Sequence, residues 1–166
     1  QHYGVELVEV LTGFKFIGEK IKEYEAAKNH TFLFGFEESH GYLQGTHARD
    51  KDGVVASMLI SETAAYYQSR GMTLYQGLQE LFQKYGYYLE QTISYTFDGL
   101  AGMEKIKDIM SAFRSNCPDT IGGIKVLAMR DYQAGTRYSC NGTTNSMDLP
   151  KSNVIYYELD KNCWAC

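Results

Sequence analysis

The pattern of apolar and polar positions near the start of the chain changes between strand-like and helix-like spacing. Residues 3–11 are rich in β-branched and apolar side chains, which predicts a largely buried strand. Apolar side chains then recur at helical spacing from Phe14 to Tyr24, and residues 31–36 predict a second buried strand. A strand, a helix and a strand in this order imply a parallel pair. The sequence therefore opens with a predicted α/β unit.

Two further helices and a strand are predicted before residue 98. Residues 54–70 are apolar nearly all round, which predicts a buried helix with Asp52 as its N-cap. A second helix with one apolar stripe is predicted over residues 73–85, where Thr73 and Gln76 form a capping-box pattern. Residues 87–97 alternate between apolar and polar side chains, as in a half-buried strand. This stretch completes the first predicted domain.

The remaining residues predict a second unit with a different order of elements. A helix with an apolar stripe from Met103 to Phe113 should end before Pro118. It is followed by a predicted strand, a polar loop and two strands, at 121–131, 134–149, 153–159 and 162–166. The chain starts abruptly on a predicted strand and stops inside one, so we expect a piece of something longer.

The fold prediction is α/β, with a mixed, largely parallel sheet packed with helices, followed by an incomplete α+β unit. We assign residues 1–97 to an α/β domain that lacks its N-terminal part. Residues 98–166 form the predicted start of a C-terminal α+β domain.

Composition and charge exclude some classes of partner. The 166-residue chain has a net charge of -4 and a pI near 5.6, which argues against nucleic acid or an anionic membrane as its main partner. No apolar run reaches the ~18 residues of a membrane span and no signal peptide is visible, so we expect a cytoplasmic location. Cys163 and Cys166 have C-x-x-C spacing, but an extended segment suits joint chelation poorly, and ordinary thiols are expected.

The densest cluster of polar chemistry follows the second predicted strand, within residues 34–53. It contains two carboxylates, a hydroxyl, two imidazoles and two cations, at Glu37, Glu38, Ser39, His40, His47, Arg49 and Lys51. Open α/β sheets bind ligands at the carboxyl ends of their strands, where this loop is predicted to lie. A carboxylate followed two residues later by a hydroxyl suits hydrogen bonding to the vicinal hydroxyls of a sugar. The alternative is a solvated loop with capping residues.

Other candidate residues keep two interpretations. Thr12 and Gly13, at the end of the first predicted strand, could receive an anion or a sugar oxygen at their backbone amides, or simply cap a helix. Two parallel strands would bring them to the same sheet edge as the Glu37 loop. Lys51 could neutralise an anion or act as an acid, or be a surface lysine. His40 could be a general base or an exposed loop residue.

Three segments of the chain resemble the α-D-phosphohexomutase family, which includes phosphoglucomutases and phosphomannomutases. They are Thr12 to Ile17, similar to a T-G-[WFH]-[KS] segment, Phe36 to Gly41, similar to a G-E-x-S sugar loop, and Lys51 to Gly53. Their order and spacing resemble the family's third domain, and residues 101–166 resemble the start of its fourth. Phe36 stands where many members have glycine, as in a phosphoglucomutase branch whose loop reads F-E-E-[AS]-x-G-Y.

The resemblance implies roles for individual residues. By position, Glu37 and Ser39 are similar to the pair that binds the sugar hydroxyls, with Thr12, Gly13 and His40 as neighbouring ligand contacts. Lys51 is similar to the lysine that contacts the substrate and assists proton transfer. The implied partners are glucose or mannose phosphates, a hexose 1,6-bisphosphate and the missing domains of the same protein.

The resemblance also implies a reaction that this chain does not complete. The family moves a phosphoryl group between O1 and O6 of a hexose, using a phosphoserine and Mg²⁺. No T-A-S-H-N-P-like, D-G-D-x-D-R-like or R-P-S-G-T-E-P-like loop occurs in the sequence. We therefore expect no cofactor in this chain and no activity by itself. The alternatives are a phosphopentomutase-type member and a non-catalytic carbohydrate- or protein-binding module.

Overall fold

The computed structural model describes residues 3–37 and 39–166, which divide into two compact units. The first unit is Gln1–Gln91 and the second is Thr92–Cys166. Among the described residues, the helices are α1 Phe14–Ala27, α2 Gly53–Ser69, α3 Leu74–Tyr85 and α4 Gly99–Ser115. The strands are β1 Phe34–Glu37, β2 Gly41–Gln44, β3 Thr120–Ile121, β4 Ile124–Asp131, β5 Thr136–Ser139, β6 Thr144–Ser146, β7 Ile155–Leu159 and β8 Trp164–Ala165.

The first unit is organised around an antiparallel hairpin of β1 and β2. The register pairs Phe34 with Gln44 and Glu37 with Gly41, and the two strands pair along their whole length without a register shift. One face of the hairpin packs against α1, where Phe14, Ile21 and Leu43 are buried together. This small apolar cluster is the core found among the described residues of the unit, and it packs beneath the hairpin.

The prediction of a largely parallel sheet is wrong. Both sheets found in the described residues are antiparallel throughout, including β1, which was expected to pair in parallel with residues 3–11. Residues 3–11 form no strand, and Leu7 in their middle is 80% exposed. β1 instead turns back on itself, because residues 41–44, which were predicted as part of a polar loop, form its partner strand.

Two predictions of buried elements are also wrong. The helix predicted over residues 54–70 is present as α2, but none of its described residues is buried, and Val54 and Met58 are largely exposed. Residues 87–97 form no strand, and Leu89 is 80% exposed. Apolar composition favoured burial in both segments, but burial depends on neighbouring elements that composition alone does not specify.

The capping predictions differ in outcome between helices. The capping box at α3 is confirmed, since Thr73 Oγ1 accepts from the Gln76 amide and the Gln76 side chain accepts from the Thr73 amide. The cap at α2 is also confirmed, because the Asp52 carboxylate accepts from the amides of Val54 and Val55. Thr12 does not cap α1, whose N-cap residue is Gly13. Caps are therefore predicted well where a side chain supplies the acceptor.

The second unit, all of whose residues are described, contains an antiparallel sheet beside α4. The strand order is β6-β5-β4-β7-β8, with β3 paired to β4. Its core is formed by Val126, Met129, Ile155, Tyr157 and Leu159, with Met110 of α4 packed against it. The hydroxyl of Tyr157 donates to the backbone oxygen of Phe113 at 3.1 Å, which ties the sheet to α4. The predicted polar loop at 134–149 is wrong in part, since it contains β5 and β6.

An ion network spans neighbouring strands of this sheet. Arg130 on β4 and Arg137 on β5 both donate to the Glu158 carboxylate on β7, at 2.6 to 2.8 Å. Hydrogen bonding from Arg137, followed by that from Arg130, lowers the pKa of Glu158 from its ordinary 4.5 to about 2. The second unit therefore has both an apolar core and a charged network that joins three of its strands.

Within the part of the chain that the structure describes, no helix is both long enough and apolar enough to cross a membrane.

Candidate functional site

The candidate site lies where β1 ends and the chain reverses into β2. Glu37 is the last residue of β1 and pairs in register with Gly41. His40, in the turn between the strands, has a φ of 63°, in the left-handed region that non-glycine residues seldom adopt. Glu38, considered in the sequence as a second carboxylate, lies outside the described residues. The tight reversal places the side chains of the turn close to the Glu37 carboxylate.

Three of the predicted site residues converge at one carboxylate oxygen. The Ser39 hydroxyl donates to Oε1 of Glu37 at 2.9 Å, and Lys51 Nζ lies 3.4 Å from the same oxygen. The Glu37 side chain is only 9% exposed, whereas the Lys51 side chain is 53% exposed. Glu37, Ser39 and Lys51 are called here the Glu37 cluster. It presents a nearly buried acceptor beside an accessible cation.

The electrostatics of the cluster keep Lys51 charged. Asp50, whose Oδ1 lies 3.5 Å from Lys51 Nζ, and then Glu37 raise the pKa of the Lys51 ammonium above its ordinary value. The ammonium also lies 5.8 Å from the centroid of the Phe14 ring. A lysine held in its protonated form is suited to contact an anion or to donate a proton, and is unsuited to act as a base at neutral pH.

The segment that carries Lys51 packs closely against α1 at Gly18, which has no side chain to keep the two apart. A Cβ built on Gly18 of α1 would lie 2.5 Å from the backbone oxygen of Arg49, so a larger residue would displace this segment. The Arg49 guanidinium donates to the Thr46 backbone oxygen at 2.6 Å and also pairs with Glu25. These contacts fix residues 46–49 beside α1, immediately before Lys51.

The same segment is anchored on its other side by Asp52. The Asp52 amide donates to the Tyr42 backbone oxygen at 2.8 Å, which joins the segment to β2. The Asp52 carboxylate also accepts a hydrogen bond from His47 at 2.9 Å while it caps α2. The bond from His47, followed by those from the amides of Val55 and Val54, lowers the pKa of Asp52. Lys51 is thus placed between two anchored neighbours.

The remaining predicted residues lie around the cluster without bonding to it. Thr12 is exposed and Gly13 is half-buried, and both directly precede Phe14, whose ring lies near Lys51. The start of α1 is therefore close to the cluster, although no parallel strand pair brings it there. His40 is exposed, and none of the described hydrogen bonds or ion pairs of the Glu37 cluster involves it.

Sequence reasoning did not identify some residues that shape the site. Gly41 lies opposite Glu37, Asp50 lies beside Lys51, and Phe14 lies near the Lys51 ammonium. Recognition of residues 41–44 as a strand would have placed Gly41 and Glu37 in register and pointed to this glycine. Asp50 carried a sequence signal only as a neighbour of Lys51.

Residues other than those of the Glu37 cluster line an open cleft of about 550 Å³. It is lined by side chains of α1 and by Arg49, namely Lys15, Phe16, Gly18, Glu19, Lys22 and Arg49. Among the described residues of the predicted polar cluster at 34–53, Arg49 lines it, whereas Glu37, Ser39 and Lys51 do not. In the described residues there is also no group of three or more His, Cys, Asp or Glu side chains that could hold a metal ion.

Residues 1–85 match the family model described as "Phosphoglucomutase/phosphomannomutase, alpha/beta/alpha domain III". This match covers more than half of the chain and contains every residue of the Glu37 cluster. The chain belongs to the phosphoglucomutase/phosphomannomutase family.

Individual relatives carry the more particular name phosphoglucomutase. The phosphoglucomutase of Staphylococcus aureus (strain MRSA252) is 41% identical over 162 residues, which cover 97% of this chain and 29% of that protein. The phosphoglucomutase of Staphylococcus haemolyticus (strain JCSC1435) is 37% identical over 156 residues, which cover 93% of this chain and 28% of that protein. The chain thus spans a little under a third of the length of these relatives. No solved structure matches it.

Proposed function

We propose that this chain is the sugar-recognition segment of a phosphoglucomutase-type enzyme that moves a phosphoryl group between O1 and O6 of a hexose phosphate. The observation that carries the proposal is the convergence of Ser39 and Lys51 on one oxygen of the nearly buried Glu37 carboxylate. The family match and the phosphoglucomutase relatives support the substrate class. Glucose or mannose phosphates and a hexose 1,6-bisphosphate are the proposed ligands.

The geometry gives each member of the Glu37 cluster a distinct task. Oε1 of Glu37 is already bonded within the cluster, and among the described residues no hydrogen bond to Oε2 is formed. Oε2 is therefore the proposed acceptor for a sugar hydroxyl. Ser39 donates its proton to Glu37, so its oxygen can accept from a second hydroxyl. The Lys51 ammonium offers its remaining donors to a phosphate or a sugar oxygen.

The residues around the cluster complete the proposed sugar site. Thr12 and Gly13 at the start of α1, together with the exposed His40, are proposed as further ligand contacts. Residues 1–97 are proposed as the sugar-binding domain and residues 98–166 as the start of the following domain. The cytoplasmic location expected from the sequence stays a prediction.

The phosphoryl transfer itself is assigned to parts of a longer protein. The phosphoserine and Mg²⁺ implied by the family resemblance belong, in this proposal, to loops whose sequence patterns do not occur in this chain. We therefore expect the isolated chain to bind sugar phosphate without converting it. Turnover of glucose 1-phosphate by the chain, in the presence of glucose 1,6-bisphosphate and Mg²⁺, would contradict this division of labour.

The binding half of the proposal is tested by the substitution Glu37→Gln. It should weaken glucose 1-phosphate binding by about 1.5 to 3 kcal/mol, because a hydrogen bond to a charged acceptor is lost. The measurement is the dissociation constant from titration calorimetry of the 166-residue chain. Glu62→Gln, which removes the same charge from the exposed face of α2, serves as the matched control and should leave the affinity unchanged. Equal affinity of the wild-type and Glu37→Gln chains would remove Glu37 from the site.

A further inference from the structure

Gly41 occupies a position where any side chain would meet the side chains of Glu37 and Lys51. It is buried in β2, directly opposite Glu37 in the antiparallel register. A Cβ built on Gly41 would lie 2.8 Å from Oε1 and 2.9 Å from Cγ of Glu37, and 2.9 Å from Cδ of Lys51. Real Cβ atoms are essentially never this close to other heavy atoms. The space above Gly41 is therefore filled by the two side chains that form the ion pair.

The backbone of Gly41 does not itself require glycine. Its φ lies outside the positive range in which glycine is favoured, whereas Gly45, just after the same strand, has a φ of 74°. The requirement at Gly41 is thus steric, and it is imposed by Glu37 and Lys51 rather than by the turn.

A second glycine on the same face of the hairpin has a different role. A Cβ on Gly35 would lie 2.8 Å from Cγ2 of Ile17 and 3.0 Å from the Phe32 ring, which both belong to the apolar packing beneath the hairpin. Gly35 therefore allows close packing of α1, whereas Gly41 allows close approach of charged side chains. The chain itself provides a matched pair of glycines.

We propose that Gly41 is a positioning residue, whose missing side chain lets the Glu37 carboxylate and the Lys51 ammonium meet at the end of β1. A methyl group at this position would displace Oε1, the oxygen that also accepts from Ser39. The relation of this geometry to ligand binding rests on the proposed function, but the effect on the Glu37–Lys51 pair does not.

The test compares Gly41→Ala with Gly35→Ala in the 166-residue chain by two measurements. The first is the pKa of Lys51, followed by NMR through the chemical shift of its Cε. The second is the affinity for glucose 1-phosphate. Gly41→Ala should lower the pKa of Lys51 toward the value found in Glu37→Gln and weaken binding about tenfold or more, because a displacement of about 1 Å is costly at a preorganised site. Gly35→Ala should reduce thermal stability but leave the pKa of Lys51 and the affinity of the folded chain unchanged.

The other possible outcomes contradict either the positioning role of Gly41 or the proposed function. An unchanged pKa of Lys51 in folded Gly41→Ala would overturn the positioning role, as would equal changes in both glycine variants. A lowered pKa of Lys51 in Gly41→Ala, together with no binding of glucose 1-phosphate by the wild-type chain, would support positioning and contradict the proposed function.

A separate variant covers failure of Gly41→Ala to fold. The double variant Gly41→Ala, Glu37→Ala removes the carboxylate that the new methyl group would meet. It should recover folding if the conflict is with Glu37, since Lys51 is largely exposed and can move aside. Failure of the double variant to fold would overturn the proposal.

Discussion

Polar side chains are held in place by different kinds of contact in the two units of the chain. In the second unit, the Glu158 network lies on a sheet whose core contains five buried residues, all within a fully described segment. In the first unit, the Glu37 cluster lies at the end of a short hairpin, beside the small buried cluster of Phe14, Ile21 and Leu43.

The difference shows how a cluster of polar side chains can be ordered without an extensive core beneath it. The Glu37 cluster is fixed by close local contacts, such as Gly18 against the Arg49 backbone and Gly41 against the Glu37 side chain. In the Glu158 network, Arg130 and Arg137 both donate to the Glu158 carboxylate. The network thereby joins neighbouring strands of the sheet. The Glu37 cluster keeps an accessible cation and is suited to a ligand.

The strongest test of the comparison removes core volume from the second unit. Leu159→Ala should lower the free energy of unfolding of this unit by about 2 to 5 kcal/mol, because Leu159 is buried in its apolar core. Urea denaturation followed by the fluorescence of Trp164, the only tryptophan, measures this loss. Leu127→Ala is the control, since Leu127 is 43% exposed and its loss should be smaller. Equal effects of the two variants would contradict the assigned core.

Acid should weaken the second unit through Glu158. Its pKa is lowered to about 2 in the folded chain, so its contribution to stability is present above its ordinary value of 4.5 and is lost as the pH falls through about 2. With allowance for solvent screening, we expect a loss of about 1 to 2 kcal/mol. Urea unfolding at several pH values between 5 and 2 measures it. Glu158→Gln should be less stable at pH 5 and depend less on pH, and an identical pH profile would contradict the network's role.

A smaller effect is expected at the cap of α3 in the first unit. Thr73→Ala should destabilise this helix by about 1 kcal/mol, because the Gln76 amide loses its acceptor. Hydrogen exchange of the α3 amides reports the loss locally. Thr73→Ser keeps the hydroxyl and should preserve protection, so equal exchange in the two variants would argue against the capping box as the source of local stability.

The sequence predicted the helices better than the strands, for a physical reason. The stripe of α3 and the caps at Thr73 and Asp52 depend on residues a few positions apart, so local spacing carries the information. A strand is defined by its partner, which lies elsewhere in the chain. Residues 3–11 have strand-like composition but form no strand, while Gly41–Gln44 looked like a polar loop and forms one.

The sequence could predict only those residues of the candidate site whose own side chains carry a functional group. Glu37, Ser39 and Lys51 were identified by their functional groups and by the family resemblance, and the structure brings them together. Gly41 has no functional group, and its importance depends on which side chains lie above it. That information appears only once the register of the hairpin is known.

The most direct test of the account is a ¹H–¹⁵N NMR titration of the 166-residue chain with glucose 1-phosphate. The central claim is that this ligand is recognised by the Glu37 cluster. It predicts saturable shift changes at the amides of Glu37, Ser39, Gly41 and Lys51, which disappear in Glu37→Gln. Changes confined to other regions, or no saturable change at all in the folded wild-type chain, would contradict it.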